Sequence, residues 1–160
     1  GFSRGSLEFV TNVENRLSAN DRDDLYDARI NPIATFPRAG FVVFGQKTLQ
    51  VAQSALDRIN VRRMLLDVKR RISDIARQLI FEQNNAATRA KFTANAVQSL
   101  TFVQASQGIE AFKVVCDGTN NTQAEVEQNR MRGVIQIVPT RAIEFISIDF
   151  VITNAGVEFA

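Results

Sequence analysis

The chain has 160 residues, 45% of them hydrophobic and 22% charged, enough to bury about 70% of its unfolded surface in one domain. Nineteen Lys and Arg against 17 Asp and Glu leave a net charge of +2, and so small an excess, despite an isoelectric point of 9.0, excludes a globally basic nucleic-acid binder and confines any basic function to a local face. With no His, one Cys and no Trp, imidazole triads, His-based metal sites and disulfide frameworks are excluded, so no catalytic residue, cofactor or metal is expected.

No apolar run approaches the roughly 20 residues of a membrane span, and the opening GFSRGSLEF lacks the basic-then-apolar layout of a signal peptide. Neither a membrane partner nor secretion by that route is expected. Because the chain begins at Gly1 rather than Met, it reads as a piece of a longer protein.

Leu7, Val10, Val13 and Leu17 predict a loose helix over Ser6 to Leu17, and a second short helix follows from Asn20 to about Arg29, with Asp21, Asp23 and Asp24 in its first turn. Pro32 and Pro37 force an extended crossing over Asn31 to Arg38, since each proline disfavours the helical basin for the residue before it. Phe41 to Lys47 reads as the first strand. From Asp57 the apolar residues Val61, Leu65, Val68, Ile72, Ile75 and Leu79 recur at spacings of four and three, the stripe of an amphipathic helix. Arg63, Arg70 and Arg77 project from its opposite side, with Arg62 and Lys69 at the flank. Asn84-Asn85 ends it, and a second long helix runs from about Ala86 to Gln104, burying Phe92, Ala96, Leu100 and Val103 before Gly108. Ile109 to Cys116, Met131 to Val138 and Ile143 to Ile152 are Val-, Ile- and Phe-rich and partly alternate, predicting three more strands. Thr122 and Glu125 suggest a capping box for a short helix, and Pro139 to Ala142 a hairpin connection.

The expected fold is α+β: an antiparallel or mixed four-stranded sheet packed against two longer helices, with short N-terminal helices. Residues 1–38 form an N-terminal helical segment and crossing, 39–152 the α+β domain and 153–160 a C-terminal arm.

Gly40 to Thr48 (GFVVFGQKT) nearly spells a phosphate-binding loop, but Gln46 separates the second glycine from Lys47, and strand formers fill the spacer where a flexible loop is required. A small nucleotide-binding module built on Gly45, Lys47 and Thr48 is kept as a competing reading. Cys116 reads as a buried small hydrophobe and Asp117 to Thr122 as a turn entering a helix, although Asn120 to Thr122 also forms a glycosylation sequon. The basic helix face has two readings. Arg63 with Asp67 and Arg70 with Asp74 stand at i, i+4 and suit a self-paired solvated surface, whereas seven bases against four acids between Asp57 and Glu82 segregate charge toward a partner. Salt-sensitive nucleic-acid binding through Arg62, Arg63, Lys69, Arg70 and Arg77 is a third class to be tested.

The ordered strings LSANDRDDLY (Leu17 to Tyr26), Asn31-Pro32-Ile33, GFVVFGQKTL (Gly40 to Leu49), INVRR (Ile59 to Arg63), FEQNN (Phe81 to Asn85), FKVVCD (Phe112 to Asp117) and AIEFI (Ala142 to Ile146) resemble the C-terminal region of contractile tail sheath proteins. The resemblance covers Leu17 to Ile152 and implies a structural, non-enzymatic subunit of a myovirus tail, or of a bacteriocin or type VI-like relative. Many copies would form a helical sleeve that contracts around a rigid tube for host genome ejection. The implied partners are neighbouring copies exchanging strands, the tail tube protein, and baseplate and tail terminator proteins, with no nucleic acid and no membrane. The implied place is the virion tail, assembled in the bacterial host cytoplasm. The domain would lie against the tube, with Arg62, Arg63, Lys69 and Arg70 facing it. Ile146, Ile148, Phe150 and Ile152, with Asn154, Val157 and Phe159 beyond, would form an inter-subunit strand and arm, the first four anchored by one apolar face. Gly40, Gly45, Asn85 and Asp117 are assigned structural roles.

Overall fold

A computed structural model of the chain describes residues 2–144 and 146–148. Helix α1, Ala19–Asp27, starts at a reciprocal cap: the Asp21 amide donates to Ser18 Oγ at 3.2 Å, and the Ser18 amide donates to Asp21 Oδ2 at 2.8 Å. The residues before it are not helical. Gly5 to Leu7 instead lie along a hairpin edge, where the Leu7 amide donates to the Phe41 carbonyl at 2.9 Å and the Val43 amide to that of Gly5 at 2.7 Å. Four loosely spaced apolar residues among Thr11, Asn12 and Asn15 are too weak a stripe to offset helix nucleation, and sheet bonds prevail.

The proline-marked crossing is itself that hairpin. Strands β1, Ile33–Phe36, and β2, Gly40–Val43, pair antiparallel from Ile33 opposite Val43 to Phe36 opposite Gly40. Pro32 lies outside the ladder, Pro37 lies in the turn, and Gly40 supplies the turn's positive φ of 66°. Helix α2, Ile59–Arg77, follows a 3-10 turn at Ala55–Asp57. Helix α3, Ala86–Ala105, is capped by Asn85, whose side chain accepts the Thr88 amide at 2.9 Å.

Strand β3, Ile109–Val115, pairs antiparallel with β4, Val134–Pro139, and between them lies α4, Gln123–Glu127. Thr122 is the N-cap residue of α4, but its side chain makes no capping bond, so the expected box with Glu125 does not form. The core lies where α2 and α3 meet this sheet: Val68, Leu100, Val103 and Ile109 are buried among Met64, Ile72, Phe112, Val114, Ile135 and Ile137. A second cluster joins Leu79, Phe92, Ala96 and Cys116.

The expected single four-stranded sheet is replaced by two separate two-stranded sheets. The free edge of β2 is occupied by Gly5 to Leu7, so the first hairpin takes its third line of bonds from the chain start and not from β3 or β4. The expected last strand is also not found among the described residues. Pro139 to Ala142 does not reverse the chain into a ladder, and the last bond beside β4 runs from the Thr140 amide to the Gly108 carbonyl. Ile146 and Ile148 are 77% and 68% exposed, so neither is anchored in this domain's own core as expected. No described strand stands beside them to provide cross-strand partners. Phe150, Ile152, Asn154, Val157 and Phe159 lie outside the described residues.

Candidate functional site

The stripe of α2 buries Val61 and Val68, which turns Arg62, Arg63, Lys69 and Arg70 outward into solvent. The expected i, i+4 pairs on this helix are not the ones that form. Asp67 is taken by Arg71, Nε to Oδ2 at 2.7 Å, and Asp74 by Arg77, Nη1 to Oδ1 at 3.4 Å. Helical side chains lean toward the N-terminus, so a basic residue following an acid on the helix meets it readily. Both acids of the helix are therefore engaged with other residues, and Arg62, Arg63, Lys69 and Arg70 have no acidic partner among the described residues. The self-pairing expected of this surface is therefore absent for these four, which stand in solvent.

A polar cluster not anticipated from the sequence joins α1, the start of α2 and the segment after β4. Glu144 accepts Arg58 Nε at 2.6 Å, Arg58 Nη2 at 2.9 Å and the Tyr26 hydroxyl at 2.7 Å. Arg58 also meets Asp57 at 3.1 Å. Burial pushes the Glu144 carboxyl up, but the hydrogen bonds from Arg58 and Tyr26 and the charges of Arg58 and Lys47 together hold it below the ordinary glutamate range. Burial, then the bond to Glu144, pushes the Tyr26 phenol up. The signal for this cluster is Glu144 itself, a single acid inside the apolar run AIEFI.

The near-match to a phosphate loop dissolves in the same region. Gly40 to Val43 are strand, and Lys47 Nζ donates to the Tyr26 carbonyl at 2.6 Å while lying 3.2 Å from the Tyr26 ring centroid. Asn31 brackets Lys47 through both backbone groups, accepting its amide at 2.9 Å and donating to its carbonyl at 2.8 Å. Gly45 is pressed against Asn31: a Cβ there would stand 2.5 Å from Asn31 Oδ1. The lysine that a nucleotide would require is already committed inside the fold.

Cys116 is buried, and that burial raises its thiol pKa. Asp117 closes a turn, its Oδ1 accepting the Thr119 amide at 2.8 Å and the Thr119 hydroxyl at 2.5 Å. These bonds lower its pKa. Among the described residues no group of His, Cys, Asp and Glu could hold a metal, and no helix is long and apolar enough to cross a membrane.

The order of the motifs agrees with what comparison shows. Residues 51–153 match the family model for the phage tail sheath C-terminal domain. The chain belongs to that family. It is 39% identical over 160 residues to the tail sheath protein of Vibrio phage KVP40, all of this chain against 24% of that protein. It is 36% identical over 159 residues to that of Enterobacteria phage T4, 99% of this chain against 24%. The sheath domain thus spans about a quarter of the length of the curated relatives it matches. A chain in the baseplate structure of the anti-feeding prophage superposes with a TM-score of 0.82 at 24% identity, covering 91% of this chain and 42% of that one. One in the contracted helical sheath of the same particle superposes at 0.80 and 26%, covering 91% and 43%.

Proposed function

We propose that this sheath domain is the tube-proximal part of a contractile tail sheath subunit, one of many copies forming a helical sleeve around the tail tube in the virion. The sleeve contracts to drive the tube through the host envelope. One observation supports the placement: four neighbouring cations on one exposed helix face, Arg62, Arg63, Lys69 and Arg70, lack acidic partners among the described residues while both acids of that helix are engaged by other arginines. An acidic tube surface supplies the missing charge, and exposed ion pairs worth about 0–1 kcal/mol each suit a contact that is released on contraction. Charge reversal at these four positions abolishes assembly on the tube and leaves tube-free sheath polymer intact; unchanged assembly on the tube sinks the placement.

Linkage between subunits is assigned to strand exchange. The sheet of β3 and β4 has no third strand among the described residues, so a neighbour's arm has a ladder to join. Such a ladder persists while domains rotate, because four or five backbone bonds at about 0.5–1.5 kcal/mol each act together. Residues 39–152 form the domain in this scheme and 153–160 its arm. Baseplate and tail terminator proteins are the partners at the sleeve ends, and assembly takes place in the bacterial host cytoplasm. Deleting residues 154–160 weakens sheath polymer; a truncated protein that forms sheath of normal stability removes the arm from the joint. The role is structural and non-enzymatic: nucleotide should leave the melting temperature unchanged, where a ligand at one hundred times its dissociation constant would add about 2.7 kcal/mol.

A further inference from the structure

Leu66 is 52% exposed and stands outside the apolar stripe of α2. Its neighbours one helical turn away on either side, at i−4, i−3, i+3 and i+4, are Arg62, Arg63, Lys69 and Arg70. A single exposed leucine is ordinary on a protein surface. A leucine at the centre of four cations without acidic partners among the described residues is a more specific arrangement, because like charges crowded on one helix face repel until something outside neutralises them. The aliphatic stems of the three arginines and the lysine extend the apolar centre and carry the charge to its rim. An apolar centre inside a charged rim is how residues that dominate a protein interface are arranged.

We infer that Leu66 is the apolar anchor of the α2 docking face and sits in a notch of the acidic tail tube surface, with Arg62, Arg63, Lys69 and Arg70 closing a charged ring around it. This rests on the tube-proximal reading and adds a division of labour to it. The ring sets the salt dependence and speed of encounter, whereas the side chain at its centre sets how long the contact lasts. Charge complementarity selects an acidic partner, and the leucine selects one with an apolar notch, which a run of phosphates does not offer.

The test is co-sedimentation of the full sheath protein with tubes of its tail tube protein across a salt series, for Leu66→Ala, Leu66→Met and the double variant Arg62→Gln/Arg70→Gln. Leu66→Ala should raise the half-saturating concentration about ten- to thirtyfold at every salt concentration, the scale of one central interface side chain, without changing the salt slope. Leu66→Met should restore most of the loss, and Arg62→Gln/Arg70→Gln should flatten the slope. If the charge variant loses binding while Leu66→Ala binds as the parent does, the anchor is wrong and the tube-proximal reading stands. If neither variant changes binding to the tube, both fall. Loss of tube-free polymer in Leu66→Ala, or binding of duplex DNA that competes with the tube, also overturns the inference.

Discussion

Arg58 grips Glu144 through two parallel hydrogen bonds across 86 residues of chain, Nε to Oε1 at 2.6 Å and Nη2 to Oε2 at 2.9 Å. The Glu144 side chain is only 19% exposed, and Tyr26 from α1 donates to the same carboxylate. One acid therefore ties together the start of α2, the short N-terminal helix and the segment leaving β4.

Glu144→Gln should cost about 1 kcal/mol, less than the roughly 1.5–3 kcal/mol of buried hydrogen bonds to charged groups because the cluster lies near solvent. The sign with pH follows from the lowered Glu144 pKa. A carboxyl held below its unfolded value of about 4.3 contributes stability that is complete above that value and is lost as pH falls through the folded one. Melting temperature measured from about pH 6 down to about pH 3 should therefore fall more steeply in the parent than in Glu144→Gln. Parallel curves would show that Glu144 carries no linked proton.

The two long helices were legible because their signals are local: the stripe from Val61 to Ile75 and the Asn85 cap each lie within one element. The sheets were less legible, since which strands pair depends on contacts between distant segments, and the pairing of Ser6 opposite Val42 has no sequence periodicity to announce it. The same holds for the site. Arg63 and Arg70 were placed opposite the stripe, and Arg62 and Lys69 at its flank, by period alone, but their lack of acidic partners among the described residues depended on Asp67 and Asp74 choosing Arg71 and Arg77. Glu144 with Arg58 was out of reach for want of any short-range pattern joining them.

Two glycines separate steric from conformational demand. Gly45→Ala drives a methyl to 2.5 Å from Asn31 Oδ1 and 2.9 Å from Asn31 Cα, so backbone must move and the Asn31 bracket on Lys47 opens. A cost of about 1–3 kcal/mol is expected, as for other overpacked sites. At Gly40 an added Cβ would meet no atom within 4 Å, so Gly40→Asn asks chiefly for a residue that tolerates φ of 66°, and its cost should be smaller. Thermal melting of the two variants that ranks Gly40→Asn as the more damaging would overturn this assignment.

Asn121 is 5% exposed and closes the loop between β3 and β4. Its Nδ2 donates to the carbonyls of Asp117 at 3.0 Å and Arg132 at 2.9 Å, and its Oδ1 accepts the Arg132 amide at 2.7 Å. Asn121→Ala strands those backbone groups and should cost about 1–3 kcal/mol. Faster hydrogen exchange at the Arg132 amide should accompany the loss of stability. An unchanged exchange rate there would mean that water or a neighbour replaces the side chain.

Phe81 holds a positive φ of 73° although its side chain is fully exposed. It is the third residue of a turn closed by the Glu82 amide on the Leu79 carbonyl, just beyond the end of α2. Glycine is preferred where such a turn requires positive φ, because any Cβ there crowds the following carbonyl at about 1–2 kcal/mol. The ring makes no burial that could offset this. Replacing it with glycine removes the strain, while the greater freedom of the unfolded chain takes back roughly half of the gain. Phe81→Gly should therefore raise the melting temperature by about 1–4 °C, on the scale of about 2–4 °C per kcal/mol for a chain of this size. A lower melting temperature would show that the ring supports the turn between α2 and α3 through contacts in solution.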